Sequence, residues 1–72
     1  GADGLKGDPL SSLQYTTKGY WIAMRMIREA YPDTPILLGG AGGYQPDGGT
    51  PDAWVASALG LMALPDEKVS LL

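Results

Sequence analysis

Tyr44 and Asp3 are the residues whose type and setting in this chain can do chemistry. Tyr44 closes the run P-I-L-L-G-G-A-G-G-Y that starts at Pro35. A short apolar run bounded by Pro and Gly reads as a buried strand. Glycines at its end remove Cβ atoms, so a ligand or another backbone can come close. A phenol at that point places one hydrogen-bond donor, of pKa about 10, beside the opened space. Two readings follow: the wall of a narrow tunnel with one polar group aimed into it, or a loose glycine turn carrying a surface tyrosine. Asp3, directly after Gly1-Ala2, can supply one ligand of a metal site completed elsewhere. The plainer alternative for a loop aspartate is an Asx-turn or a helix cap.

Other chemistries are excluded within these residues. The chain has 72 residues and contains no His, Cys or Phe. Ser-His and Cys-His nucleophilic catalysis therefore cannot be assembled from it. A complete zinc site cannot be either, since zinc takes three or four ligands from His, Cys and carboxylates. A dinucleotide fingerprint begun at Gly40 fails at Gln45, where its last glycine belongs, and no lysine stands where a P-loop needs one. The net charge of −3 argues against a nucleic-acid partner. Residues 1–30 are near neutral, and the acids Asp33, Asp47, Asp52, Asp66 and Glu67 come later.

The elements that must position Asp3 and Tyr44 are few. Residues 1–9 are dense in Gly, Asp and Pro and read as loop. Tyr20, Ala23, Met24, Ile27, Ala30 and Tyr31 recur at helical spacing, predicting a helix over 18–31 with that stripe inward and Arg25, Arg28 and Glu29 off it. Thr16-Thr17 supply an N-cap oxygen. Pro32-Asp33 ends the helix, and Pro35 opens a strand over 36–38. Residues 45–49 form a turn. Thr50-Pro51-Asp52 predicts a second helix over 51–63, with Thr50 as N-cap, Pro51 at the first helical position and an acid facing the positive dipole end. That helix is apolar nearly all round, which predicts burial on most sides. Pro65 stops it, and residues 69–72 form a short apolar tail that needs something to dock on. One strand is too few for a sheet.

Composition fits an interior segment of a larger α/β protein better than a free mini-domain. Hydrophobic residues make up 44% and charged residues 18% of the chain, with 11 Gly and no cysteine to staple so small a core. The first residue is Gly1, which predicts a processed start or a piece of something longer. No apolar stretch reaches the roughly 18 residues of a membrane span, no signal-peptide pattern is present, and the lack of Cys fits a cytoplasmic location.

Three blocks together resemble the C-terminal part of the zinc-dependent deacetylases, the histone deacetylase superfamily that includes bacterial acetoin utilization proteins and acetylpolyamine amidohydrolases. Gly1-Ala2-Asp3 with Gly7-Asp8-Pro9-Leu10 resembles that family's G-A-D and G-D-P/R-L segment. Residues Leu13 to Tyr20 resemble its L-x-L-T-x-x-G-Y helix start. Leu38 to Tyr44, followed by Trp54, resembles its L-G-G-G-G-Y and A-R-A-W segment. The resemblance runs from Gly1 to about Leu64, and Pro46 and Pro51 are closer to the bacterial branch. It implies a fragment of an arginase/deacetylase-like three-layer α/β/α fold with a parallel sheet, the chain being the incomplete C-terminal part of one domain.

The resemblance also implies roles. Asp3 matches a ligand of the catalytic zinc, and Tyr44 matches the donor to the acetyl carbonyl and its oxyanion. Gly42 and Gly43 match the wall of the acyl-lysine tunnel, and Leu10 matches its rim. The implied parent is a hydrolase of N-acetyl amides on lysine or polyamine-like amines, partnered by the remainder of the domain and neither by nucleic acid nor by a membrane. This chain alone is then inactive. Two departures stand out: Ala41 replaces a glycine, and Asp52 stands where many members carry Arg. The family's paired histidines and Asp-x-His ligands belong upstream of the matched region. The alternatives are a non-catalytic structural or interaction segment and an arginase-like metal hydrolase. The tyrosine-ended glycine wall argues against the latter, which reads guanidinium groups with acids. The role of Asp8 stays open between structure and tunnel rim.

Overall fold

The structure is a computed structural model that describes residues 1–63. The expected helix stop at Pro65, the acids Asp66 and Glu67 and the tail over 69–72 lie outside the described residues. A short 3-10 turn, Ala2–Gly4, is followed by helix α1, Thr17–Ala30, and helix α2, Gly49–Leu61.

The expected α/β architecture with a parallel sheet is not what this chain forms. Among the described residues there is no strand, and Leu5 and Tyr15 make an isolated parallel bridge. Its bonds run from Lys6 N–H to the Tyr15 carbonyl (2.8 Å) and from Tyr15 N–H to the Gly4 carbonyl (2.9 Å). Residues 36–38, predicted as a buried strand, carry no ladder, and Leu37 is 98% exposed. The physical reason is pairing. A strand is stabilised by inter-strand hydrogen bonds and by a covered face, and the described residues offer this segment neither.

α1 begins as its sequence predicts. Thr16 is the N-cap, and its hydroxyl oxygen accepts the Gly19 N–H at 3.0 Å. The face it turns inward overlaps the predicted stripe only at Tyr20 and Met24. Ala23, Ile27, Ala30 and Tyr31 are exposed, and no residue of α1 is fully buried. The face toward α2 carries Trp21, Met24, Arg25 and Arg28. A side chain at Gly60 of α2 would run into the Trp21 carbonyl oxygen and lie 3.0 Å from Met24 Cβ. α2 permits this approach because its buried residues are mostly small: Thr50, Ala53, Ala56, Ser57 and Gly60, with Leu61. It is buried along that stripe only, and Trp54, Val55 and the following Met62 are exposed.

α2 also starts two residues earlier than predicted. Gly48 is its N-cap, with no side-chain cap bond. Thr50, expected to cap, lies inside the first turn, buried, and its hydroxyl accepts the Gln45 N–H at 3.0 Å. The Gln45 carbonyl in turn accepts from Gly48 N–H (2.9 Å) and Thr50 N–H (3.3 Å), which forms the predicted turn.

Arg28, expected on the solvent side, closes the far end of the helix pair. Its Nε donates to the Leu61 carbonyl at 2.9 Å. Its Nη1 lies 3.0 Å from the Thr34 carbonyl, 3.2 Å from that of Tyr31 and 3.4 Å from that of Pro32. Carbonyls at helix C-termini lack intrahelical partners and favour a nearby cation, so one guanidinium serves the ends of both helices.

Candidate functional site

The buried centre of the chain is Ala2, Leu5 and Ala53, with Tyr20 packed against them. Around it the segments that carry the recognisable motifs meet. The Tyr20 hydroxyl donates to the Gly1 carbonyl at 2.8 Å, tying α1 to the first residue. Its ring meets Tyr15 edge to face, with centroids 6.2 Å apart. Burial pushes the Tyr20 phenol above its ordinary value. A backbone hydrogen bond at Gly4 opposes this, and the neighbouring Asp3 carboxylate pushes the same way.

Gly42 and Gly43 press against the Ala2-Asp3 turn. Both have positive φ, 66° and 96°. A Cβ on Gly42 would come within 2.5 Å of Asp3 Oδ1, and one on Gly43 within 2.8 Å of the Ala2 Cβ. Gly42 therefore leaves the room in which the Asp3 carboxylate lies, and Gly43 the room for Ala2 and Thr50. Asp3 is half-buried within the 3-10 turn itself, whose N-cap is Gly1 with no side-chain cap bond.

The Asx-turn falls on Asp8. Its Oδ1 accepts the Leu10 N–H at 2.8 Å, two residues on. Its Oδ2 accepts the Tyr44 N–H at 2.9 Å, across 36 residues. Asp8 is 6% exposed. The sequence carries a signal for the first bond, an Asp before Pro in a turn-rich loop, but none for the second.

Of the sequence-predicted site residues, Asp3 and Gly42 are thus in contact, Gly43 packs on Ala2 and Thr50, and Leu10 and Tyr44 are joined through Asp8. The Leu10 and Tyr44 side chains are exposed. A cavity of about 170 Å³ is bounded by Gly1, Tyr20, Leu38, Gly39, Gly40 and Trp54 among others; Leu10, Gly42, Gly43 and Tyr44 do not line it. Gly42 and Gly43 make packing contacts within the chain, on Asp3, Ala2 and Thr50. No cluster of three His, Cys, Asp or Glu able to hold a metal exists among the described residues. The Asp3 carboxylate lies in a space that a Cβ at position 42 would fill. No helix among the described residues is long and apolar enough to cross a membrane.

Comparison with family models, with curated proteins and with solved structures gives no significant match for the chain.

Proposed function

We propose that this chain supplies one metal ligand and the oxyanion donor of a zinc-dependent deacetylase acting on N-acetyl amides of lysine or polyamine-like amines. One observation carries the reading. The three sequence blocks that resemble that family, separated along the chain, converge in space: Gly42-Gly43 on Ala2-Asp3, Tyr44 on Asp8, and Tyr20 on Gly1. Asp3 would hold the metal as one carboxylate ligand, the remaining ligands coming from outside these residues. Zinc, when bound, supplies Lewis-acid polarisation of the amide carbonyl and an activated water. Tyr44 donates its hydroxyl proton in a hydrogen bond to the carbonyl oxygen as that oxygen gains negative charge. A fixed donor there is worth roughly 10²–10³ in rate. Absence of cysteine fits a cytoplasmic location for such an enzyme.

The test is hydrolysis of a fluorogenic acetyl-lysine peptide by the full-length polypeptide containing these residues, wild type against Tyr44→Phe and Asp3→Ala. Tyr44→Phe retains zinc and loses roughly 10²–10³ in kcat; Asp3→Ala loses zinc. Full activity in Tyr44→Phe makes the tyrosine a packing residue and sinks the reading. The isolated 72-residue chain is inactive and binds zinc weakly.

A second reading, a non-catalytic interaction segment, is favoured by the exposed apolar side chains Leu10, Met26, Tyr31, Leu37 and Met62. A full-length protein that carries no zinc and hydrolyses no acetyl amide supports it.

A further inference from the structure

We propose that Asp8 is a positioning residue that fixes the direction of Tyr44, an inference that rests on the reading of Tyr44 as the oxyanion donor. Tyr44 follows Gly42 and Gly43, both in the left-handed region. Glycine loses the most conformational freedom on ordering, so a donor hung behind two glycines is poorly aimed unless its own backbone is held. In this chain the holder is the Asp8 carboxylate. It is buried, one oxygen takes the Leu10 N–H at 2.8 Å, and the other takes the Tyr44 N–H at 2.9 Å. Hydrogen bonds to an ionised acceptor are shorter and about twice as strong as neutral ones. The geometry rules out an equivalent neutral substitute: an asparagine side chain has a single acceptor oxygen and can keep one of these bonds. The same carboxylate also ties Leu10, the residue matched to the substrate rim, to the donor, so rim and donor share one anchor.

Asp8 itself touches no reacting atom; its effect passes through Tyr44. A misplacement of about 1 Å in a catalytic group can cost about 10²-fold. Asp8→Asn in the full-length protein is therefore expected to lower kcat about 10- to 100-fold, with zinc content unchanged. Amide hydrogen exchange, read by mass spectrometry without reference to activity, speeds up in the peptide spanning Tyr44 and leaves the α2 peptides as in wild type. In the Tyr44→Phe background, Asp8→Asn costs less than about twofold, because the group it positions is gone.

The outcomes separate. Equal cost of Asp8→Asn in both backgrounds makes Asp8 a general structural residue and overturns the proposal. So does unchanged exchange at Tyr44 with unchanged kcat. Wild-type activity in Tyr44→Phe overturns the underlying reading instead, whatever Asp8→Asn does. Should Asp8→Asn fail to fold, Asp8→Glu, which keeps both oxygens and displaces them by one methylene, enters the same cycle. It is expected to give a smaller kcat loss that again vanishes with Tyr44→Phe, and the same cost in both backgrounds overturns the proposal.

Discussion

Gly43 lies so close to Ala2 that a Cβ at position 43 would stand 2.8 Å from the Ala2 Cβ and 2.7 Å from Thr50 Cγ2. The glycine run and the first turn of the chain are therefore one packed unit, seated on the start of α2. Gly43 also has a φ of 96°. Gly43→Ala meets both a backbone penalty of about 1–2 kcal/mol and overpacking of about 1–3 kcal/mol. It is expected to destabilise by about 2–5 kcal/mol, read from the denaturant midpoint. Gly39, within the same run, has nothing within 4 Å of its Cβ position, and Gly39→Ala is expected to change stability by less than about 0.5 kcal/mol. Equal losses at the two positions would contradict the packing of residue 43 on residue 2.

Arg28 joins the last turn of α2 to the segment after α1 through one planar group. A lysine has the charge but not the fork. Arg28→Lys is expected to lose about 1–3 kcal/mol, close to the loss in Arg28→Met. Recovery of most of the stability by lysine would show that charge at the two helix ends, and not the geometry of the guanidinium, sets the effect.

These two residues mark where sequence reasoning succeeds and where it stops. The glycine run announced a close approach, and one occurs, against Ala2, Asp3 and Thr50. Thr16 announced a helix start because its hydroxyl acts on a donor three residues away. The turn over 45–49 was legible for the same local reason. Arg28 and Asp8 were not, because their partners lie 33 and 36 residues away. The inward face of α1 was misjudged because the small residues of α2 bring backbone against backbone. Close approach then selects the face that clears Gly60, which keeps Tyr20 and Met24 of the predicted stripe inward and leaves Ala23, Ile27, Ala30 and Tyr31 exposed. The strand over 36–38 was read from composition, which describes a segment suited to a sheet and does not supply the neighbouring strand.

Ala63, at the C-terminal end of α2, has a φ of 57°, and its N–H donates to the Gly60 carbonyl at 3.0 Å. A left-handed residue just past a helix is the position glycine favours. The left-handed backbone costs an L-residue about 1–2 kcal/mol, and glycine's greater unfolded freedom returns roughly 0.5–1 of that. Ala63→Gly is thus expected to stabilise by roughly 0.5–1 kcal/mol, seen as a higher denaturant midpoint with an unchanged slope. A loss of stability would show that residue 63 leaves the helix by another route.

Tyr20 makes folding sensitive to alkaline pH. Burial raises its phenol pKa above the ordinary 10.0, so the folded chain holds a proton that the unfolded chain has already released. The sign follows from proton counting: where the folded state binds more protons, stability falls as pH rises. The contribution is fully present below about pH 10 and is lost as pH climbs through the raised folded value. The hydrogen bond to the Gly1 carbonyl needs the protonated hydroxyl, so it disappears over the same window. Near neutral pH, Tyr20→Phe is expected to be less stable than wild type by about 1 kcal/mol, the net worth of one hydrogen bond. Denaturation of both proteins at a series of pH values from about 8 to 11 should show that gap closing as the phenol ionises. A gap that stays constant across the series would mean that the Tyr20 hydroxyl does not couple its proton to the docking of α1 on the first turn.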